Sequence, residues 1–123
     1  LGVEMFLTKT GGLYVNELAP RPHNSGHYSI EACSMSQFDA HIRGICGWPL
    51  GEKVRLISNA VMVNVLGEQL LESYRLIENK PDWQFHFYGK KQAKKGRKMG
   101  HITILTEDIQ QTLEEIKQTN IWD

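Results

Sequence analysis

The chain has 123 residues, of which 41% are hydrophobic and 23% are charged, and its formal net charge is zero. This composition is ordinary for a globular domain, and the neutral balance argues against a dedicated nucleic-acid-binding protein. The sequence contains neither a signal peptide nor a membrane-spanning run, which favours the cytoplasm. Because it opens inside a predicted strand and without an initiator methionine, we expect it to be a piece of a longer protein.

Two apolar-rich runs predict an antiparallel hairpin of residues 2–8 and 13–19. The run Lys9-Thr10-Gly11-Gly12 between them is a turn sequence, because its glycines tolerate positive φ. Two registers are open. If Thr10 and Gly11 form the turn, Glu4 lies directly opposite Glu17. If the glycine pair forms the turn, Glu4 lies one diagonal position away from Glu17.

Either register makes the carboxylates of Glu4 and Glu17 near neighbours. Like charges on opposed positions of a strand pair are destabilising unless a positive charge lies between them. Magnesium would supply that charge, since it typically takes one or two carboxylates and completes its shell with water and substrate phosphates. The alternative is that one glutamate points to solvent and the hairpin is merely amphipathic.

A polar loop follows the second strand. Its prolines fix φ and exclude helix or central strand, and polar loops that leave a strand commonly carry a site. Arg21 offers a fork suited to phosphate or carboxylate, and Asn24 and Ser25 add neutral hydrogen-bonding groups.

His23 and His27 lie in the same loop. They are interpreted either as substrate-facing hydrogen-bonding groups or as ordinary loop histidines. Zinc is the weaker interpretation, because Gly26 and the prolines disfavour a helix that would bring the two rings together, and no third soft ligand is near.

The rest of the chain alternates helical and strand periodicity. The predicted elements are a helix capped by Ser34 and closed by Gly47, a strand over 58–66, a helix over 68–78, strands over 83–88 and 100–105, and a final helix capped by Thr106. The two cysteines have no metal-binding spacing, so we expect both to be reduced and buried.

A basic loop separates the last two predicted strands. Six of the nine residues from Lys90 to Lys98 are lysine or arginine, including Arg97. The loop could close over an anion, or it could be a solvated hairpin tip. Nucleic acid is a third option, although the cluster itself contains no aromatic residue for base stacking.

Five segments spread over the chain read as motifs. They are Val3–Phe6, Val15–His27, Ser36–Phe38, Gly47–Gly51 and Gly96–His101. Together they resemble the ATP-grasp carboxyaminoimidazole ribonucleotide synthase (PurK) family of purine biosynthesis. The run from Pro20 to His27 and the run from Gly96 to His101 point to this one family, whereas paired glutamates with a following arginine are common to the ATP-grasp superfamily.

The resemblance implies an α+β fold. Residues 1–50 would be the C-terminal part of an ATP-grasp domain, and residues 51–123 would be a small C-terminal α/β domain. The family uses Mg-ATP and bicarbonate to form carboxyphosphate, and then carboxylates the exocyclic amine of aminoimidazole ribonucleotide (AIR). Its partners are therefore these small molecules and a second subunit in a homodimer, with no nucleic acid and no membrane.

Site residues carried over from the family divide into two groups. At the nucleotide end, Glu4 and Glu17 resemble the magnesium ligands, Asn16 and Glu17 the pair that contacts ATP, and Arg21 the arginine beside the transferred phosphoryl group. Many ATP-grasp enzymes have an asparagine at the position of Ala19, so a third magnesium ligand would come from elsewhere or be water.

At the substrate end, the resemblance implies roles for both loops. Lys90 and Arg97 resemble the lysine and arginine at the bicarbonate and AIR end, and the residues that would shape the pocket are His23, Asn24, Ser25 and His27. The family's nucleotide-clamping lysine and adenine pocket would precede Leu1, so we expect this chain alone to be inactive.

Other function classes stay open at this point. One is another ATP-grasp ligase. A second is a metal-dependent hydrolase that uses Glu17, His23 and His27. A third is a regulatory module that binds polyanions through the lysine-rich loop.

Overall fold

The structure, a computed structural model, describes residues 1–122. The chain forms two compact units, the first comprising Leu1–Leu56 and the second starting at Ile57. Helices and antiparallel sheets occur together, so the predicted α+β class is confirmed. No helix in this described part of the chain combines the length and the apolar character needed to cross a membrane.

The first unit contains a hairpin, a polar loop and two helices. Strands β1 (Gly2–Leu7) and β2 (Leu13–Ala19) pair antiparallel, and a single 3-10 turn at Asn24–Gly26, α1 (Ser29–Ala32) and α2 (Gln37–Ile45) follow. The predicted hairpin is therefore confirmed. Most apolar side chains of the hairpin are exposed, among them Met5, Phe6, Leu13, Tyr14 and Val15.

The N-cap of helix α2 lies two residues after the predicted one. Ser36, not Ser34, is the N-cap, because its Oγ accepts a hydrogen bond from Asp39 N while the Asp39 carboxylate accepts from Ser36 N. Ser34 instead exchanges hydrogen bonds with the backbone of Arg55. These reciprocal hydrogen bonds satisfy the first N–H groups of the helix, and Gly47 ends the helix at positive φ as predicted.

The second unit is a three-stranded antiparallel sheet with two helices. Its elements are β3 (Ala60–Leu66), a 3-10 turn (Gly67–Gln69), α3 (Leu70–Leu76), β4 (Gln84–Phe87), β5 (Lys98–Leu105) and α4 (Ile109–Gln118). The strand order is β3-β5-β4, so β5 is central and six of its eight residues are buried. The core comprises Val65, Trp83, Ile102, Ile104 and Ile116.

Two sequence predictions differ from the observed details. Helix α4 is capped by Asp108, whose side chain accepts from Gln111 N, whereas the Thr106 hydroxyl accepts from Asp108 N in the preceding turn. The two cysteines are free, as expected, but neither is buried: Cys33 is half-buried, and Cys46 is exposed because it follows the solvent-facing end of α2.

Candidate functional site

A β-bulge sets the position of the paired glutamates. Glu4 lies directly opposite Glu17, but the next pair toward the turn is Met5 with Val15, so Asn16 is an extra residue in β2. The turn is longer than either predicted two-residue loop, since Thr8 N donates to Gly12 O at 2.9 Å. With that turn and no bulge, Glu4 would face Asn16, and the bulge therefore restores the glutamate pair.

The bulge also brings the Asn16 amide to the same carboxylates. Asn16 Nδ2 donates a hydrogen bond to Glu4 Oε1 at 2.5 Å. The Glu4 side chain is 37% exposed and that of Glu17 is 48% exposed, so both carboxylates remain accessible to an ion or a ligand. The donor set of two opposed carboxylates fits magnesium, which takes its remaining ligands from water and phosphate.

Two cationic or potentially cationic side chains face this pair. His23 Nε2 lies 4.0 Å from Glu4 Oε2 and 3.8 Å from Glu17 Oε1, and its ring is only 14% exposed. Arg21 Nη2 lies 3.8 Å from Glu17 Oε1 at an exposed position. The carboxylates, the imidazole and the guanidinium therefore form one cluster, called here the carboxylate cluster.

The loop after β2 is built around His23. This residue caps the 3-10 turn, because its Nδ1 accepts a hydrogen bond from Ser25 N and lies 2.8 Å from Ser25 Oγ. Asn24 lies in the same turn, and its carbonyl oxygen accepts from His27 N at 3.1 Å. The loop residues that the resemblance assigned to substrate thus all belong to one hydrogen-bonded turn.

Gln37 is a loop contact that the sequence did not reveal as a site residue. Its Oε1 accepts from His23 N at 2.9 Å, its Nε2 donates to His23 O at 2.8 Å, and the same Nε2 lies 2.7 Å from His27 Nδ1. A Cβ on Gly26 would lie 2.6 Å from Gln37 Oε1, which explains the glycine. The only sequence signal was the position of Gln37 within the Ser36–Phe38 motif.

The zinc-hydrolase alternative finds no support in this geometry. Within residues 1–122, no group of three or more histidine, cysteine, aspartate or glutamate side chains is arranged to hold a metal ion. His27 Nδ1 contacts Gln37, and its ring stacks on Phe38 with a centroid separation of 5.3 Å.

Lys90 and Arg97 lie in the second unit, in the basic loop between β4 and β5. Lys90 Nζ donates to the carbonyl oxygen of Lys98 and lies 5.3 Å from the centre of the Tyr88 ring. Arg97 Nη1 donates to Gln92 O at 3.2 Å. Both basic side chains are therefore held by contacts within the loop and its flanking strands.

The basic loop is also anchored to the turn after β3. Gly96 N donates to Glu68 Oε2 at 2.8 Å. Hydrogen bonds from the backbone N–H groups of Glu68 and Gly96 lower the pKa of the Glu68 carboxyl. Gly67 packs so closely that a Cβ there would lie 2.2 Å from Lys94 O. The segment from Lys94 to Gly96 thus packs against the turn at Gly67 and Glu68, a contact that the composition of the loop did not reveal.

Both parts of the chain are similar to known protein families. Residues 1–38 match the model of the ATP-grasp domain, and residues 60–115 match that of the phosphoribosylaminoimidazole carboxylase C-terminal domain. An N5-carboxyaminoimidazole ribonucleotide synthase from Staphylococcus epidermidis is 55% identical over 114 residues, which cover 89% of this chain and 29% of that protein.

Solved structures give the same result. N5-carboxyaminoimidazole synthetase from Staphylococcus aureus superimposes with a TM-score of 0.89 at 49% identity, covering 95% of this chain and 32% of the other. The Aspergillus clavatus synthase, in complex with ADP and 5-aminoimidazole ribonucleotide, gives 0.84 at 37% identity, with 95% and 33% covered.

The chain spans about 30% of the length of these relatives. Over that part, the sequence identity and the structural superposition both indicate the same family. The resemblance is therefore confirmed, and the chain is homologous to the ATP-grasp N5-carboxyaminoimidazole ribonucleotide synthases.

Proposed function

We propose that the protein carrying this chain is an ATP-grasp ligase that carboxylates the exocyclic amine of AIR in de novo purine biosynthesis. Its substrates are ATP, bicarbonate and AIR. The observation that carries the proposal is the opposition of Glu4 and Glu17 on one hairpin, in a chain whose relatives have this activity in their names. The Aspergillus clavatus relative with bound ADP and AIR supports the same substrates.

The reaction has two group transfers. A bicarbonate oxygen attacks the γ-phosphorus of ATP, and ADP leaves with the electrons of the broken bond. The amine nitrogen of AIR then attacks the carboxyl carbon of carboxyphosphate, inorganic phosphate leaves, and the nitrogen loses a proton. Both transfers develop negative charge on oxygen, so fixed cations and donors near the reacting groups accelerate them.

At the nucleotide end, the carboxylate cluster binds the metal ion and the ATP phosphates. Glu4 and Glu17 hold Mg²⁺, which when bound neutralises charge on the ATP phosphates. Asn16 orients Glu4 through its amide hydrogen bond and also contacts the nucleotide. Arg21, whose guanidinium lies beside Glu17, stabilises the phosphoryl group during transfer. Ala19 supplies no ligand, so a third ligand of the ion would come from elsewhere or be water.

At the substrate end, two loops supply donors and positive charge. Lys90 and Arg97 of the basic loop bind the anionic groups of bicarbonate and AIR. In the first unit, the turn after β2 offers substrate-binding groups through His23, Asn24, Ser25 and His27. In this proposal residues 1–50 complete an ATP-grasp domain, and residues 51–123 form the small C-terminal domain.

The remaining parts of the proposal follow from the family resemblance. The full-length protein is a cytoplasmic homodimer that binds neither nucleic acid nor membrane. Sedimentation of the full-length protein at twice the monomer mass would support the dimer, and a single-subunit mass would contradict it.

The first test is ADP release by the full-length protein, with AIR and bicarbonate omitted in turn. Glu17→Gln keeps the shape of the side chain and removes its charge, and we expect kcat/KM to fall by roughly 100-fold or more. Glu107→Gln is the matched control, because Glu107 is exposed in the turn before α4 and lies in neither candidate loop. Its activity should stay within about twofold of the wild type.

Each alternative gives a different result. ADP release that does not need AIR would indicate another ATP-grasp ligase. Full activity of Glu17→Gln would contradict the assignment of Glu17 as a magnesium ligand. Salt-sensitive polyanion binding that survives this substitution, without AIR-dependent ADP release, would favour the polyanion-binding module. The 123-residue chain alone should release no ADP.

A further inference from the structure

We propose that Gln37 is a positioning residue that holds His27 as the tautomer with its proton on Nε2, so that His27 serves as a hydrogen-bond donor. Gln37 begins helix α2, whereas both histidines lie in the turn after β2. Gln37 therefore connects helix α2 to the turn after β2 through hydrogen bonds.

The backbone fixes the orientation of the Gln37 amide. His23 N–H can only donate, so the amide atom that lies 2.9 Å from it must be the oxygen. The His23 carbonyl oxygen can only accept, so the amide atom that lies 2.8 Å from it must be the nitrogen. The two contacts agree, and they leave one N–H of the amide for a further partner.

That further partner is the ring of His27. Gln37 Nε2 lies 2.7 Å from His27 Nδ1, and because the amide nitrogen is a donor, Nδ1 must be the acceptor. A neutral imidazole that accepts at Nδ1 carries its proton on Nε2. The stacking of the ring on Phe38, with planes inclined by 28°, fixes its orientation as well.

The amide itself is held from two sides. Ser29 Oγ accepts from Gln37 N at 2.9 Å and donates to Gly26 O at 2.5 Å. Gly26 leaves the space that the amide oxygen occupies. Both the side chain and the backbone of Gln37 thus hydrogen-bond to the loop. These contacts restrict rotation of the His23 and His27 rings.

The consequence for chemistry rests on the proposed function. Bicarbonate, carboxyphosphate and the phosphate of AIR are anionic, and an N–H donor suits them better than an acceptor. We therefore assign His27 the role of binding an anionic substrate group through Nε2–H, and not that of a general base at this nitrogen. Gln37 acts through His27 and touches no substrate.

The test uses the full-length protein labelled with ¹⁵N at the histidine rings, at a pH where the imidazoles are neutral. We expect His27 Nδ1 to show the shift of an unprotonated nitrogen, with assignment by loss of the signal in His27→Gln. Gln37→Glu is nearly isosteric and still accepts from His23 N. Its carboxylate cannot donate to His27, so the proton should move to Nδ1. Gln110→Glu, the same change at an exposed position of α4, should leave the signal unchanged.

Kinetics provide the second readout. Gln37→Glu should raise KM for AIR or bicarbonate by about 10- to 100-fold, in the range of lost orienting contacts, with KM for ATP unchanged. A wild-type proton on Nδ1, or an unchanged tautomer in Gln37→Glu, would overturn the tautomer assignment. A shifted tautomer with unchanged kinetics would overturn the substrate role. If the wild-type protein shows no AIR-dependent ADP release, the proposed function is wrong. The tautomer assignment is unaffected by that outcome, because the NMR measurement requires no catalytic activity.

Discussion

Replacement of Gly67 by alanine should displace the basic loop. A Cβ on Gly67 would lie 2.2 Å from Lys94 O, 2.7 Å from Lys94 C and 2.9 Å from Lys94 N. All three atoms belong to the backbone, so no side-chain rotation can relieve the overlap. Ordinary contact begins near 3.4 Å, and the loop must therefore move by about 1.2 Å, the difference between 3.4 and 2.2 Å.

The displacement has an energetic cost and a local consequence. Overpacking typically costs about 1–3 kcal/mol, and the lower backbone entropy of alanine in the unfolded chain offsets about 0.4–1 kcal/mol of this. Taken from the middle of each range, the net loss should be about 1–2 kcal/mol. The same movement separates Gly96 N from Glu68 Oε2, which are 2.8 Å apart, and thereby frees the turn that carries Arg97.

Urea unfolding followed by tryptophan fluorescence would measure this loss, because Trp83 is a core residue of the second unit and Trp122 packs against it. With a slope near 1 kcal/mol per molar urea, the midpoint should fall by about 1–2 M. Gly44→Ala is the control: it lies inside α2 with nothing near its Cβ position, so it should stabilise its helix by up to about 1 kcal/mol. A Gly67→Ala midpoint equal to the wild type would refute the reasoning.

Two further predictions concern the second unit. Ile102→Ala should destabilise it by about 2–5 kcal/mol, because Ile102 is fully buried. Leu71→Ala, at a side chain that is 73% exposed, should cost less than about 0.5 kcal/mol. The urea midpoints of both variants would measure these losses. Burial raises the pKa of the Tyr88 hydroxyl above its ordinary value of about 10. Its contribution to stability is therefore complete below pH 10 and is lost as the pH rises through the folded-state pKa, so Tyr88→Phe should flatten the alkaline loss of stability. An unchanged alkaline limb would contradict this.

The sequence predicted the elements better than their termini. Apolar runs on either side of a glycine-containing turn identified the hairpin, and apolar and β-branched runs identified the strands of the second unit. Cap residues were misplaced at both long helices: serine and threonine occur at several adjacent positions, and the true cap is the one whose acceptor meets an N–H three residues on, as Ser36 and Asp108 do. That geometry is not visible in composition.

The candidate site was predictable where it depended on neighbours in sequence. The opposition of Glu4 and Glu17 followed from the hairpin, although the bulge at Asn16 that produces it did not, since no glycine or proline marks it. Gln37 was missed because its partners are 10 and 14 residues away. Such contacts are set by tertiary packing and carry no local signature.

The exposed apolar hairpin described above affects how the chain folds. Among the described residues of the first unit, the buried apolar side chains are only Ala19 and Ala32, whereas the second unit has a core of its own. Burial of apolar surface is the main driving force of folding, so the two units should differ in amide hydrogen exchange. We expect β5 to exchange slowly and the hairpin to exchange fast, unless another surface covers its apolar side chains. We therefore expect the second unit to be the cooperative folding unit of this chain, and the half that carries Glu4 and Glu17 to depend on added contacts for its order.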